Sequence, residues 1–318
     1  ACALFQAAGS WLLFALSLFA FGTVASFSIF ACHEFSHGTV FTSKRANAAF
    51  LRLFSTLTWF DHHLYKLSHS YHHLYTLHPR ADREVLLPKK PDLAATKLLQ
   101  LFSISLISGF EAIGLINIVW TTMRLAFTGS YSEEWPEAVL RADGTGGRGR
   151  CVRWARFLLL FHALVIALGA LTGLWSLPLM VVAGSFIANW LKYFVAVPMH
   201  VGLMDDSPDF RLCVRTIRLD PVSHFLYWRM NYHTEHHMFG AVPCYNLRRL
   251  HRELAWDMPA PRSLVGAWKE MRETWRRQRV EPAYQFRTPL PGGRPGDGAS
   301  RSDPLESSHG ELGADLLK

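Results

Sequence analysis

Along most of the chain polar and apolar positions are interleaved, but two stretches break that pattern. Residues 1–30 and 157–191 contain no Asp, Glu, Lys or Arg. About 20 helical residues, rising ~1.5 Å each, cross the hydrocarbon core of a bilayer, so both stretches are long enough to span it. Residues 9–30 predict a first span. It leads directly into the polar string ACHEFSHGTVFTSKR, whose Lys44 and Arg45 place that end on the cytoplasmic side. The second stretch predicts two helices, residues 157–174 and 179–200, on either side of WSLPL. Pro178 there suits the first turn of the second helix. Such a hairpin enters from the cytoplasm after the basic string RGRCVRWAR and returns to it.

Two further apolar stretches read differently. Residues 46–60 are short for a span and predict an interfacial helix. Residues 98–123 are long enough to cross, yet they carry Gly109, Glu111, Gly114 and Asn117. A single crossing there would put the polar segments before and after it on opposite sides of the membrane. The histidine motifs described below have to share one side, so this stretch is expected to dip into the membrane or lie along it. From residue 287 the chain is rich in Pro, Gly and Ser and predicts a disordered tail.

The 33 Lys and Arg against 25 Asp and Glu give a net charge of +8, nearly all of it outside the apolar runs. A basic cytoplasmic face attracts acidic headgroups or an acidic protein. The basic residues form no nucleic-acid recognition motif. Five cysteines (Cys2, Cys32, Cys151, Cys213 and Cys244) are too far apart for a CxxC site and fit reduced thiols. Glu34 is the first charged residue, so the basic segment that opens a secretory signal is missing. The chain begins without Met, and trimming at its start is expected.

The histidines decide the chemistry. HEFSH holds His33 and His37; HSYHH holds His69, His72 and His73; HTEHH holds His233, His236 and His237. At this composition an H-x-x-H-H pattern arises by chance on the order of 0.04 times, and the chain has two. On a helix, positions i, i+3 and i+4 share a face, so each box aims two or three imidazoles the same way. Clustered neutral imidazoles are metal ligands before anything else. With His200, at the end of the last apolar stretch, nine are available, enough for two metals with open positions. Iron, zinc, copper and nickel all accept imidazole, and two adjacent open metals at a membrane favour redox chemistry, hence iron. His62 and His63 are weaker candidates for ligands or supporting residues. His78, His162, His224, His251 and His309 read as surface or capping residues. Glu34, Asp61, Asp205, Asp206, Asp220 and Glu235 are candidates to receive the outer ring N–H of a ligand, with Asn231 and Tyr232 weaker ones.

The order HEFSH, HSYHH, hydrophobic hairpin ending in a His, then NYHTEHHMFGAVP resembles the membrane fatty-acid desaturase and hydroxylase superfamily over about residues 9–255. That resemblance implies an all-α, multi-pass transmembrane domain (residues 1–286) with a cytoplasmic helical cap carrying the boxes. It implies two non-haem irons held by His33, His37, His69, His72, His73, His200, His233, His236 and His237, with O2 as co-substrate. No catalytic side chain beyond these ligands is implied. The expected activity is desaturation of a fatty-acyl or lipid chain; hydroxylation of a lipid or small hydrophobic molecule is the alternative. Electrons are expected from a separate protein of ferredoxin or cytochrome b5 type, for which RRLHRE and WKEMRETWRRQR form a candidate docking face or, equally, a lipid-facing one. Some relatives place an Asn one helical turn before the position of His200, where this chain has Ala196.

Two other classes compete. HEFSH also fits the H-E-x-x-H helix of zinc proteases, with Glu34 as general base. That reading leaves seven histidines idle and lacks a third-ligand motif, since LDP at Leu219 has no Gly. A metal transporter would put its ligands at mid-membrane in broken helices, whereas these boxes lie at or beyond the ends of spans.

Overall fold

The computed structural model describes residues 1–84, 93–107 and 114–292. It is mostly helical. A short α1 (Cys2–Ala7) precedes α2 (Trp11–Ala25), which runs almost without interruption into α3 (Ser28–His37). Together they make an apolar rod over Trp11–His37, and the long α9 (Gly147–Thr172) makes another. Only 17% and 22% of their most apolar windows are buried within the protein. A core helix of a soluble protein would bury most of that surface, so these side chains face outward, as lipid contact requires.

Between the rods lie α4 (Lys44–Leu57), α5 (His62–Tyr75), α6 (Ala95–Phe102), α7 (Leu115–Thr128) and α8 (Glu134–Asp143). α3 packs on α4, α5 on α8, and α7 on α9. Local sequence explains the boundaries. Gly38, at φ 72°, ends α3 one residue after His37, in a left-handed conformation that costs glycine little. Ser43 caps α4 by accepting from the Ala46 N–H, and Asp61 caps α5 by accepting from His63 and Leu64.

The expected helix over residues 179–200 is not continuous. It divides into α10 (Ser176–Val182), a 3-10 turn at Gly184–Phe186, α11 (Trp190–Ala196) and a second 3-10 turn at Val197–Met199. Gly184 and Ala188, the latter at φ 46°, interrupt it. The freed backbone is satisfied elsewhere: the Ser105 N–H donates to the Phe186 carbonyl and the Ala188 N–H to that of Ser103. Gly22 of α2 lies so close to this break that a Cβ would stand 2.6 Å from the Ile187 carbonyl oxygen. Residues 98–123 are likewise no single rod: α6 ends at Phe102, Ile104 bridges to Ile187, and α7 starts at Leu115. Gly109 and Glu111 lie outside the described residues.

The remaining chain forms short elements: α12 (Phe210–Cys213), β1 (Ile217–Arg218), α13 (Pro221–Leu226), α14 (His233–Met238), α15 (Cys244–Glu253), β2 (Arg262–Ser263) and α16 (Leu264–Gln278). β1 and β2 pair in parallel, Ile217 opposite Arg262. Buried Arg215 joins this layer to the His200 turn. Its guanidinium donates to the Pro198 and Val201 carbonyls and pairs with Glu270 of α16 at 2.7 Å. The Phe286 N–H donates to the Gly202 carbonyl, so chain up to Phe286 packs on the same turn. The expected tail from 287 lies mostly outside the described residues.

Candidate metal centre

The three boxes arrive on α3, α5 and α14, and His200 arrives on the turn after Met199. All nine imidazoles expected from the sequence converge, in two adjoining sets. His33, His37, His69, His73 and His236 form one; His72, His200, His233 and His237 form the other. Within each set the ligand nitrogens lie within 4.8 Å of one another. Helical spacing accounts for the division. In HSYHH, His69 and His73 lie one turn apart and serve the first set, while His72 points to the second. In HTEHH, His233 and His237 serve the second and His236 the first. The sets share a wall where the His73 and His237 rings stack at 4.5 Å.

Outer partners orient the rings. His33 Nδ1 bonds Glu34 at 3.0 Å, His69 Nδ1 bonds Glu84 at 2.9 Å, and His72 Nδ1 bonds Asp82 at 2.8 Å. His237 Nδ1 meets the Thr76 hydroxyl at 2.9 Å, and His200 Nδ1 meets the Cys213 carbonyl at 3.2 Å. With Nδ1 engaged outward, Nε2 is left facing inward. The inward nitrogens crowd together: His37 and His69 meet Nε2 to Nε2 at 3.2 Å, His69 and His73 at 3.0 Å, His200 and His233 at 2.9 Å, and His233 and His237 at 3.1 Å. His33 Nε2 and both nitrogens of His236 are buried without a hydrogen-bond partner.

Protonation does not resolve this crowding. Burial, reinforced by the neighbouring imidazoles, holds His69, His233, His236 and His237 well below the ordinary histidine value, and His73 down to about 3. His72 differs: burial pushes it down, but Asp82 and Glu84 outweigh that and leave it raised. Neutral, converging lone pairs fit metal cations. Five nitrogens exceed the tetrahedral shell of zinc, while sets of five and four leave open positions on an octahedral metal such as iron.

A cavity of about 490 Å³ opens on these sets, lined by His37, His69, His73 and His237 with Ser36, Lys66, Ser70 and Gly240. A Cβ at Gly240 would come 3.4 Å from the His73 ring, so glycine there keeps the mouth wide. His37 and His73 are half-buried beside it, whereas the four-histidine set is fully buried.

Several sequence expectations find other places. Glu34 is a partner of a boxed histidine as expected, but it lies on the outer nitrogen of His33, away from the converging Nε2 atoms. A protease base would face the metal instead. Asp61 caps α5 and accepts from the Tyr131 hydroxyl; Asp220 caps α13; Asp205 bonds Gln285; Asp206 lies 3.6 Å from His78. Glu235 touches no boxed ring by hydrogen bond and instead holds Thr216 at 2.6 Å and His251 at 2.5 Å. His251 is therefore no free surface residue. Nor is His162, which is buried against Trp59 and bonded to the Thr56 carbonyl. His62 and His63 join neither set, and Asn231 bonds His224. The Tyr232 ring lies tilted against that of His251, 5.1 Å between centroids. Ala196 packs among apolar side chains, and His309 lies outside the described residues. Asp82, Glu84 and Thr76 were missed. Thr76 caps α5 one turn after His72 and reaches a ring of α14 rather than of its own helix, while Asp82 and Glu84 follow box two at no helical spacing and only the turn after α5 returns them to its face.

Two outward-facing apolar rods and nine imidazoles gathered into two adjoining sets that could hold metal ions define the site. The family profile named "Fatty acid desaturase" matches residues 9–267, and the chain belongs to that family. No curated protein matches it, and no solved structure does.

Proposed function

We propose that the protein is an O2-dependent di-iron oxidoreductase that introduces a double bond into a fatty-acyl or lipid chain. The observation that carries this reading is the convergence of nine imidazoles into sets of five and four, in a chain of the desaturase family. In it, His33, His37, His69, His73 and His236 hold one iron, and His72, His200, His233 and His237 the other. Bound there, an iron pair supplies the O2 chemistry that removes hydrogen from an unactivated C–H bond.

The chain's own residues do the rest. Glu34, Glu84, Asp82 and Thr76 fix the rings so that Nε2 faces inward. Burial keeps His233 and His237 unprotonated and excludes bulk water from the four-histidine set. The mouth beside Gly240 gives O2 and substrate a way in. We further place the boxes on the cytoplasmic side of a multi-pass chain, where a separate ferredoxin- or cytochrome b5-type protein delivers electrons.

Elemental analysis of detergent-purified protein tests the assignment. About two irons per chain are expected, with most of the iron lost in His236→Ala while membrane insertion persists. One zinc per chain, unaffected by that substitution, would overturn it. Gas chromatography of lipids from an expressing host, with His236→Ala as control, distinguishes an alkene product from an alcohol.

A further inference from the structure

A second cavity, of about 370 Å³, shares no lining residue with the cavity at the histidine sets. One wall is the α2–α3 junction, with Val24 and Phe27; another is Phe54 of α4; the third is the end of α13 and the turn after it, with Phe225 and Trp228. Its size lies within the ~300–1,000 Å³ of small-molecule sites. None of the nine histidines lines it.

Three features bear on what fills it. The wall is continuous with the lipid-facing rod: Val24 is 53% exposed, and Phe225 on the opposite wall is 78% exposed. No water-soluble surface needs a phenylalanine displayed to that degree. Arg229 closes the rim, held by a hydrogen bond from its guanidinium to the Tyr245 carbonyl. It follows Trp228 in a turn where both residues take left-handed backbone, φ 51° and 60°. Neither side chain favours that conformation, and the turn seats the indole in the groove and the guanidinium at its edge. α15 begins on the cavity wall at Cys244 and Tyr245, and Arg248 and Arg252 follow Cys244 by one and two helical turns on the same face. Arg211, Arg215 and Arg262 of the same layer each have a carboxylate partner. Among the described residues Arg229, Arg248 and Arg252 have none.

We propose that this groove binds an anionic phospholipid of the surrounding bilayer, one acyl chain lying against Phe54, Phe225 and Trp228 and the phosphate seated on Arg229, Arg248 and Arg252. The apolar groove beside the arginines favours a lipid over an acidic protein, which would use the charges and leave the groove empty. Binding there is independent of the metals.

Trp228 reports on the groove. The full chain is placed in phosphatidylcholine nanodiscs containing a small fraction of lipid with brominated acyl chains, either phosphatidylglycerol or phosphatidylcholine. The quenching assigned to Trp228 is the difference between wild type and Trp228→Phe. Brominated phosphatidylglycerol should quench this increment at lower mole fraction, by about fivefold for each arginine engaged, the equivalent of about 1 kcal/mol per basic residue at a membrane surface. The preference should fall in Arg248→Gln and in Arg229→Asn, a residue that accepts left-handed backbone, and persist in Arg229→Lys. Equal quenching by the two lipids in wild type would overturn the proposal. So would a lipid preference unchanged in Arg248→Gln combined with Arg229→Asn, above all if that variant loses binding to an acidic ferredoxin, which would assign the face to a protein.

Discussion

His33, His69, His72 and His237 each have two tasks, presenting one nitrogen inward and anchoring the other. Asp82 shows how much the second task carries. It is buried, accepts from the Leu77 N–H at 2.8 Å and bonds His72 Nδ1 at 2.8 Å, and this contact raises the basicity of the imidazole while lowering that of the carboxylate. In Asp82→Asn the ring keeps a neighbour but loses the charge that raises its basicity. Affinity for the second metal should fall about 10–100-fold, the usual effect of removing an outer partner of a ligating histidine. Iron retention during titration with a chelator measures this. Asp220→Asn, at a helix cap remote from the rings, should behave as wild type. If Asp82→Asn also retained its iron like wild type, Asp82 would be a turn-stabilising residue only. The ligands themselves were legible in the sequence because i, i+3 and i+4 spacing is a local property of one helix. Asp82 and Glu84 were not, because a non-helical turn carries them back, and spacing along the chain records nothing of such a return.

At the scale of elements, α5 depends on its first turn. Asp61 Oδ1 accepts from the His63 and Leu64 N–H groups, and Oδ2 accepts from the Tyr131 hydroxyl at 2.6 Å. Tyr131 leads into α8, where its N–H donates to Glu137, itself forked to Arg148 of α9. One carboxylate thus fixes the start of the box-two helix to two others. Asp61→Ala should cost about 2–4 kcal/mol, about 1 for the cap and about 1–3 for the buried hydroxyl left without an acceptor. Tyr131→Phe should cost less, because the cap survives. Thermal unfolding in detergent compares them, and equal losses would show the cap to be immaterial. The elements also mark where reading from sequence failed. Residues 157–174 were recognisable as a helix because apolar length suffices to identify one. The break at Gly184–Ala188 was not, since it is stabilised by carbonyl and N–H partners from Ser103 and Ser105, some 80 residues away. Hydropathy registers how greasy a segment is and nothing of where its backbone finds partners.

For the molecule as a whole, the two histidine sets impose a constraint on topology. Each draws on α5 and α14, so the chain between Tyr75 and His233 has to begin and end on one side of the bilayer. It contains α9, a rod long enough to cross; a crossing by α9 would require a return. The broken segment α10–α11 is the element available for it, with α10 packed against α9. Labelling from outside sealed vesicles tests this directly. All five native cysteines are buried, so an impermeant maleimide should react mainly with a cysteine introduced at an exposed position. Arg80→Cys follows box two, and Arg218→Cys precedes box three; both positions are exposed. The two variants should be labelled from the same side, and with vesicles of the opposite orientation both should be protected together. Labelling from opposite sides would mean that α9 crosses without a return. The imidazoles of α5 and α14 could then share no metal, and the family's chemistry would have to be carried by fewer ligands than the nine that converge here.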